Sequence, residues 1–181
     1  MACACGTGCG VLGQRVVKAP DIYVSVGSMM PFERLVRAMD GFAAQRPDLD
    51  VLIQIGRGKT EPVHARFVRL MPPGDYRAMV AGCRLFVAHA GMGSIITAIE
   101  AGKPLLMLPR RQALGEHNTE HQLATAQNIG NRPGLHVAID EADLIVRAEA
   151  LLAVGSPPPA PIARFADEGF TNHIRCFIES D

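Results

Sequence analysis

Six short apolar runs set the limits on what this chain can fold into. They fall at 22–26, 51–55, 66–70, 85–88, 105–108 and 136–139, separated by segments of helical spacing. Runs such as Leu85-Phe86-Val87-Ala88 lack polar alternation, which marks strands buried on both faces. Between the first two, Phe32, Leu35, Val36, Met39 and Phe42 recur at three-four spacing behind Pro31, whose fixed φ suits a first helical turn. Tyr76, Met79 and Val80 predict a short helix behind Asp75. Leu123, Ala124, Ala126, Gln127 and Ile129 predict another, continuing a segment that starts near His117. Asp140 is the expected cap of a helix containing Leu144, Ile145, Ala148, Leu151 and Leu152. Strands alternating with helices predict one α/β domain, a doubly wound and mostly parallel sheet covered on both faces.

At 181 residues, 48% of them apolar, the chain is long enough for one such domain and too short for two large ones. It divides into a Cys/Gly-rich tail at 1–20, the α/β domain at 21–155, and a Pro-rich linker with a C-terminal helix at 156–181. The helix is expected to pack against the domain or a partner. Eighteen basic residues balance eighteen acidic ones, so nothing points to nucleic acid. No run approaches the ~20 apolar residues of a membrane span, and the start does not read as a secretory signal. The expected compartment is the cytoplasm. Cys3, Cys5 and Cys9 crowd into the tail without the paired spacing or fourth ligand of a zinc site, so no metal is expected there. Cys83 and Cys176 stand in apolar surroundings.

The stretch after the fourth strand carries the chemistry. His89-Ala90-Gly91-Met92-Gly93-Ser94 precedes a helical pattern from 95 to 101 that closes on Gly102-Lys103-Pro104. Glycines let the backbone turn sharply and approach a ligand closely. Ser94 is the expected helix cap, and the first N–H groups of that helix would face an anion, most often a phosphate. A cationic or hydrogen-bonding His89 strengthens this reading of a phosphate-binding corner. The loop is not a dinucleotide fingerprint, because Ile96 stands where the third glycine belongs, and no lysine precedes Ser94 as in a P-loop. In a doubly wound sheet, ligands bind beyond the carboxyl ends of the strands. Gly27-Ser28, Gly56-Arg57-Gly58-Lys59 and the 89–94 loop are expected to converge there.

With Val24-Ser25-Val26-Gly27-Ser28, Gly102-Lys103-Pro104 and His121-Gln122 added, the sequence resembles the nucleotide-sugar half of a GT-B glycosyltransferase. The resemblance is to the family 28 C-terminal domain, shared with MurG-type N-acetylglucosaminyltransferases. It is closer still to the small cytosolic subunits of two-subunit enzymes, among them the dolichol-linked UDP-N-acetylglucosamine transferase and bacterial exopolysaccharide glucuronosyltransferases. It covers roughly 22–152 and implies a Rossmann-like fold. It also implies that His89, Gly91, Gly93 and Ser94 hold the diphosphate of a UDP-sugar. Met71 would lie beside the uracil, Gln122 would reach the sugar hydroxyls, and Gly27 and Ser28 would border the cleft. His121 stands where related enzymes often carry an acid. Thr97 replaces a glutamate that grips the ribose in many relatives, with Glu100 one turn further on.

The family's full-length enzymes need a second α/β domain for the acceptor and usually for the catalytic base. About twenty residues before the first strand cannot form one. The resemblance therefore implies a donor subunit of an inverting hexosyltransferase, with no cofactor and no certain catalytic residue of its own. A membrane-associated partner would supply the base, the lipid-linked acceptor and recruitment to the membrane's inner face. Two other readings stand beside it. One is a non-catalytic nucleotide-sugar-binding subunit. The other is a zinc hydrolase on His117-Asn118-Thr119-Glu120-His121, which matches H-x-x-E-H if both histidines share a helix face. Arg110 and Arg111 would meet a carboxylate or the partner, or form a solvated pair. Asp75, His64 and His136 read as structural.

Overall fold

The computed structural model describes residues 18–130, 132–163 and 165–179; the tail with Cys3, Cys5 and Cys9 lies outside them. All six expected strands form: β1 (Ile22–Ser25), β2 (Val51–Gln54), β3 (Arg66–Val68), β4 (Leu85–His89), β5 (Leu105–Leu108) and β6 (Leu135–Val137). They make a single sheet in the order β3-β2-β1-β4-β5-β6, with every neighbouring pair parallel. This is the doubly wound order, whose direction of winding reverses between β1 and β4. Ile22 to Ser25 pair in register with Leu85 to Ala88, so both strands end together at that switch point.

The helices are α1 (Glu33–Gln45), α2 (Pro73–Gly82), α3 (Met92–Glu100), α4 (His121–Ile129), α5 (Glu141–Val154) and α6 (Glu168–Glu179). Alternation along each strand divides the core into two layers. Ile22, Val24, Ile53 and Val87 pack against Leu35, Val36 and Met39 of α1 and Leu144 of α5. Tyr23, Leu52, Phe86 and Met107 face Val80 of α2, Ile95 and Ala98 of α3, and Ala126 of α4. In the second layer Tyr23 and Phe86 stack at 5.7 Å, with Tyr76 edge-on to both. Asp140 caps α5 as expected, accepting from the Asp143 amide at 2.8 Å.

Several expectations are corrected. Pro31 precedes the cap of α1 instead of opening its first turn, because Phe32 takes the cap position. Of the Gly56–Lys59 loop, Gly56 approaches the Gly27 loop, but none of the four residues lines the cleft between the Gly27 and 89–94 loops. The Lys59 amide, with that of Thr60, donates to the Glu33 carboxylate. The 157–161 segment is neither helix nor strand, and its backbone crosses Gly134, where a Cβ would meet Pro159 N at 2.5 Å. Helix α6 forms with none of its residues buried, so Cys176 is exposed while Cys83 is buried in the second layer. No described helix is long and apolar enough to cross a membrane.

Candidate functional site

A cleft of about 600 Å³ opens at the carboxyl ends of β1 and β4. The loop after β1 supplies Gly27, Ser28 and Met29, and the β4–α3 corner supplies His89, Gly91, Gly93, Ser94 and Thr97. Met71 and Tyr76 form the side toward α2, while Gln122 and Arg110 come from the β5–α4 side. Nine of the ten site residues expected from the sequence therefore border one space. His121 does not: it is exposed on the first turn of α4, and His117 lines the cleft instead. Among the described lining residues there is no carboxylate.

The corner is built around the ring of His89. A Cβ on Gly91 would lie 2.1 Å from its Cε1, and one on Gly27 would lie 2.6 Å from its Nε2. Gly27 also has φ +81°, a backbone that only glycine adopts without strain. Two of the glycines thus make room for an imidazole. Gly93 has open space at its Cβ position.

Gln122 selects the ring's tautomer. Its Oε1 accepts from the Arg110 amide at 3.1 Å, so its NH₂ faces Nδ1 of His89, also at 3.1 Å. Nδ1 is then the acceptor, and the ring proton sits on Nε2. Burial holds His89 well below the usual histidine range, at about 4, with the nearby Arg110 charge adding to the effect. The ring of the protein by itself is a neutral N–H donor at neutral pH.

Helix α3 begins one turn earlier than its polar residues suggest. Gly91 is the cap and Ser94 is its third residue, buried, making no capping bond. The first amides of α3, with no acceptor inside the helix, open from the glycine corner. Thr97 donates back to the Gly93 carbonyl at 2.8 Å. Glu100 is exposed and does not border the cleft. Burial raises the Tyr76 phenol above its usual range, opposed by hydrogen bonding with the Ser94, Ser25 and Thr97 hydroxyls. Tyr23 donates to Gln54 Oε1 at 2.7 Å, with the Met71 sulfur 3.5 Å from its oxygen.

Arg110 is neither solvated nor paired with a carboxylate. It is 2% exposed, and its guanidinium donates to the carbonyls of Val26 (2.8 Å), Met30 (2.7 Å), Glu116 (3.1 Å) and Pro31. The Phe32 ring lies 4.6 Å from it. Next to this clamp, Arg34 makes a two-pronged bond to Glu116 at 2.7 and 2.8 Å and reaches Glu141 at 3.2 Å. The Arg111 amide completes the Glu116 site at 2.9 Å, while the Arg111 side chain donates to the Ile139 carbonyl. Spacing gives no hint of this clamp, because its acceptors are backbone atoms of distant segments.

The zinc reading loses its geometry. Helix α4 begins at His121, so His117 and His121 do not share a helix face. His117 engages Thr119, and the Glu120 carboxylate accepts from the Gln112 amide. Among the described residues no three His, Cys, Asp or Glu side chains could hold a metal together.

Comparison with known proteins agrees with this architecture. The crystal structure of the kitacinnamycin glycosyltransferase is 21% identical with a TM-score of 0.57, over 84% of this chain and 39% of its own. The solution structure of ALG13 is 15% identical with a TM-score of 0.54, over 88% of this chain and 96% of its own. Os79 from O. sativa, crystallised in complex with UDP, is 16% identical with a TM-score of 0.54, over 77% of this chain and 33% of its own. At these identities the likeness is one of fold. This chain spans well under half the length of the kitacinnamycin and Os79 structures. No curated protein matches the sequence at a significant level. The model of the glycosyltransferase family 28 C-terminal domain matches residues 22–146, most of the described sheet and its helices. The chain belongs to the glycosyltransferase family 28 C-terminal domain family.

Proposed function

We propose that this chain is the UDP-sugar-binding half of an inverting hexosyltransferase. The observation that carries the reading is the corner at the switch point. There a neutral His89, its ring proton on Nε2, and the first turn of α3 border one cleft between β1 and β4. A diphosphate leaving group needs donors and a positive helix end, and this corner supplies both without a carboxylate for a metal to bridge. Gly27, Ser28, Gly91, Gly93 and Ser94 would surround the diphosphate, Met71 would lie beside the base, and Gln122 would reach the sugar. His121 faces away from the cleft, and His117 takes over as the candidate on that side.

Transfer also needs a base that deprotonates the acceptor hydroxyl. In this reading that base and a lipid-linked acceptor come from a membrane-associated partner, as in the two-subunit enzymes that the sequence resembles. Met29, Leu70 and Met92 stand 82%, 56% and 53% exposed around the cleft, which suits a surface covered by an acceptor-binding half. Calorimetry with UDP in chelator is expected to show binding, and His89→Ala is expected to weaken it by about 1.5–3 kcal/mol. No binding at millimolar UDP would remove the reading. Activity is expected only after the partner copurifies; robust transfer by the chain alone would overturn the split enzyme.

One observation favours a second reading, a non-catalytic nucleotide-sugar-binding subunit. Thr97 stands where many relatives carry a ribose-gripping glutamate, and its hydroxyl is turned back to its own helix. Thr97→Glu is expected to tighten UDP binding, since a carboxylate accepts from both ribose hydroxyls. Loss of transfer when this chain is left out of the reconstituted complex would exclude the second reading.

A further inference from the structure

Arg110 carries a charge that the protein does not neutralise by contact. Its guanidinium bonds run to four carbonyls, those of Val26, Met30, Pro31 and Glu116. The neighbouring carboxylate, Glu116, is committed to Arg34 and the Arg111 amide. Carbonyl dipoles satisfy donors, yet they do not cancel a full positive charge. Burying such a charge without an anionic partner is unfavourable. The side chain is 2% exposed and still forms part of the cleft wall. Burial lowers its pKa to about 10, opposed by the nearby Glu116 carboxylate, so the charge persists at neutral pH.

The same residue organises the site through its other groups. Val26 and Met30 belong to the loop after β1, and Glu116 belongs to the loop after β5, so the guanidinium ties together two rims of the cleft. Its backbone N–H orients Gln122, which orients His89. A lysine could bring the charge but not this fork, since an ammonium lacks the planar, paired donors.

Resting on the donor reading above, we infer that Arg110 is a positioning residue whose buried charge, in contact with no carboxylate, selects the diphosphate of the nucleotide. Glu116, shared with Arg34, offsets part of this charge, and the ligand's own anion would offset the rest. Because the charge is fixed in a dry wall, it is little screened and needs no reorganisation when the leaving group separates. Arg110 acts here through its field and through the loops it joins.

The test compares two ligands that share a nucleoside and differ in charge. Wild type, Arg110→Met and Arg110→Lys are titrated with UDP by calorimetry and with uridine by ligand-observed NMR, and melting temperatures are recorded. Absence of wild-type UDP binding would defeat the donor reading itself, whatever Arg110 does. Given wild-type binding, Arg110→Met is expected to lose at least about tenfold in UDP affinity, with uridine affinity held within about threefold. Arg110→Lys, which keeps the charge but not the fork, is expected to melt lower while retaining the preference for UDP over uridine. Equal losses for both ligands in Arg110→Met, or unchanged UDP affinity, would overturn the inference. If Arg110→Met does not fold, Arg110→Lys decides alone: a retained preference supports the role of the charge, and a lost preference overturns it.

Discussion

Gln122 and His89, 33 residues apart, meet through a 3.1 Å bond from the Gln122 amide to Nδ1 of the ring. The other end of that amide is held by the Arg110 N–H, so the orientation is imposed and not chosen by the histidine. A consequence is that one backbone amide on the far side of β5 decides which nitrogen of His89 carries the proton.

Gln122→Glu is expected to reverse that assignment. A carboxylate would still accept from the Arg110 N–H, but it would also accept from Nδ1, moving the ring proton there and raising the His89 pKa. The neutral ring would then present a lone pair to the phosphate. UDP affinity is expected to fall by on the order of tenfold at pH 8 and to recover partly as the pH drops and the ring charges. NMR of the ring nitrogens reports the tautomer directly; an unchanged Nε2–H form would contradict the assignment.

Acidification is expected to destabilise the chain well above the carboxylate range. Folded His89 titrates at about 4, below its ordinary value of 6.5, because burial disfavours the charged ring. As the pH falls from 6.5, the unfolded chain takes up this proton first, so the His89 contribution to stability declines through that window and levels off below about 4. There the lowered carboxylates of Glu33, Asp40 and Glu116 carry the loss further. The His89 shift corresponds to on the order of 3 kcal/mol. His136, also lowered by burial and by Arg147, acts in the same direction. Denaturant melts between pH 7 and 4 are expected to show this slope, and His89→Gln is expected to flatten it.

Two glycines two residues apart are expected to respond oppositely to alanine. In Gly91→Ala the new Cβ would fall 2.1 Å from Cε1 of His89, forcing the ring out of place, for a loss of about 1–3 kcal/mol in stability together with UDP affinity. Gly93→Ala meets nothing and lies in the first turn of α3, so stability is expected to hold or rise by up to about 1 kcal/mol. If UDP affinity nevertheless falls in Gly93→Ala, the ligand sits against that backbone. Equal thermal losses in the two variants would argue against this account of the corner.

The Arg34–Glu116 pair is expected to be costly to break and cheaper to replace. Its side chains are 10% and 11% exposed, and the pairing lowers the Glu116 pKa against the opposing effect of burial. Glu116→Gln leaves Arg34 only the more exposed Glu141 carboxylate at 3.2 Å and is expected to lose up to about 3 kcal/mol. The double variant Arg34→Met/Glu116→Leu is expected to lose less than the two single losses added together. Strict additivity in a double-mutant cycle would show that the two do not interact.

Much of the fold was readable because its signals are local. Strands buried on both faces appear as unbroken apolar runs, and all six formed within two residues of the expected bounds. The corner after β4 was readable for the same reason, since glycine, histidine and helix onset lie within six residues. Errors arose where a local signal competed with its neighbours. Ser94 looks like a cap, yet Gly91 starts the helix one turn earlier and leaves the serine on the buried face. His117 and Glu120 look helical, yet each is taken by a loop partner, Thr119 and the Gln112 amide, which delays α4 to His121.

The order of apolar runs, the glycines and the position of His89 are properties of the chain alone, and they suffice for a doubly wound sheet with a glycine-histidine corner at its switch point. The state of that corner was decided by tertiary structure. Arg110 reads in sequence as one half of a charged pair beside a proline, and a charge in such a place ordinarily faces water. Its burial depends on carbonyls of Val26, Met30, Pro31 and Glu116, brought to one point only when β1 and β5 take their places in the sheet. Backbone acceptors carry no residue-type signature, so no spacing could announce them, and the tautomer of His89 depends on the same assembly.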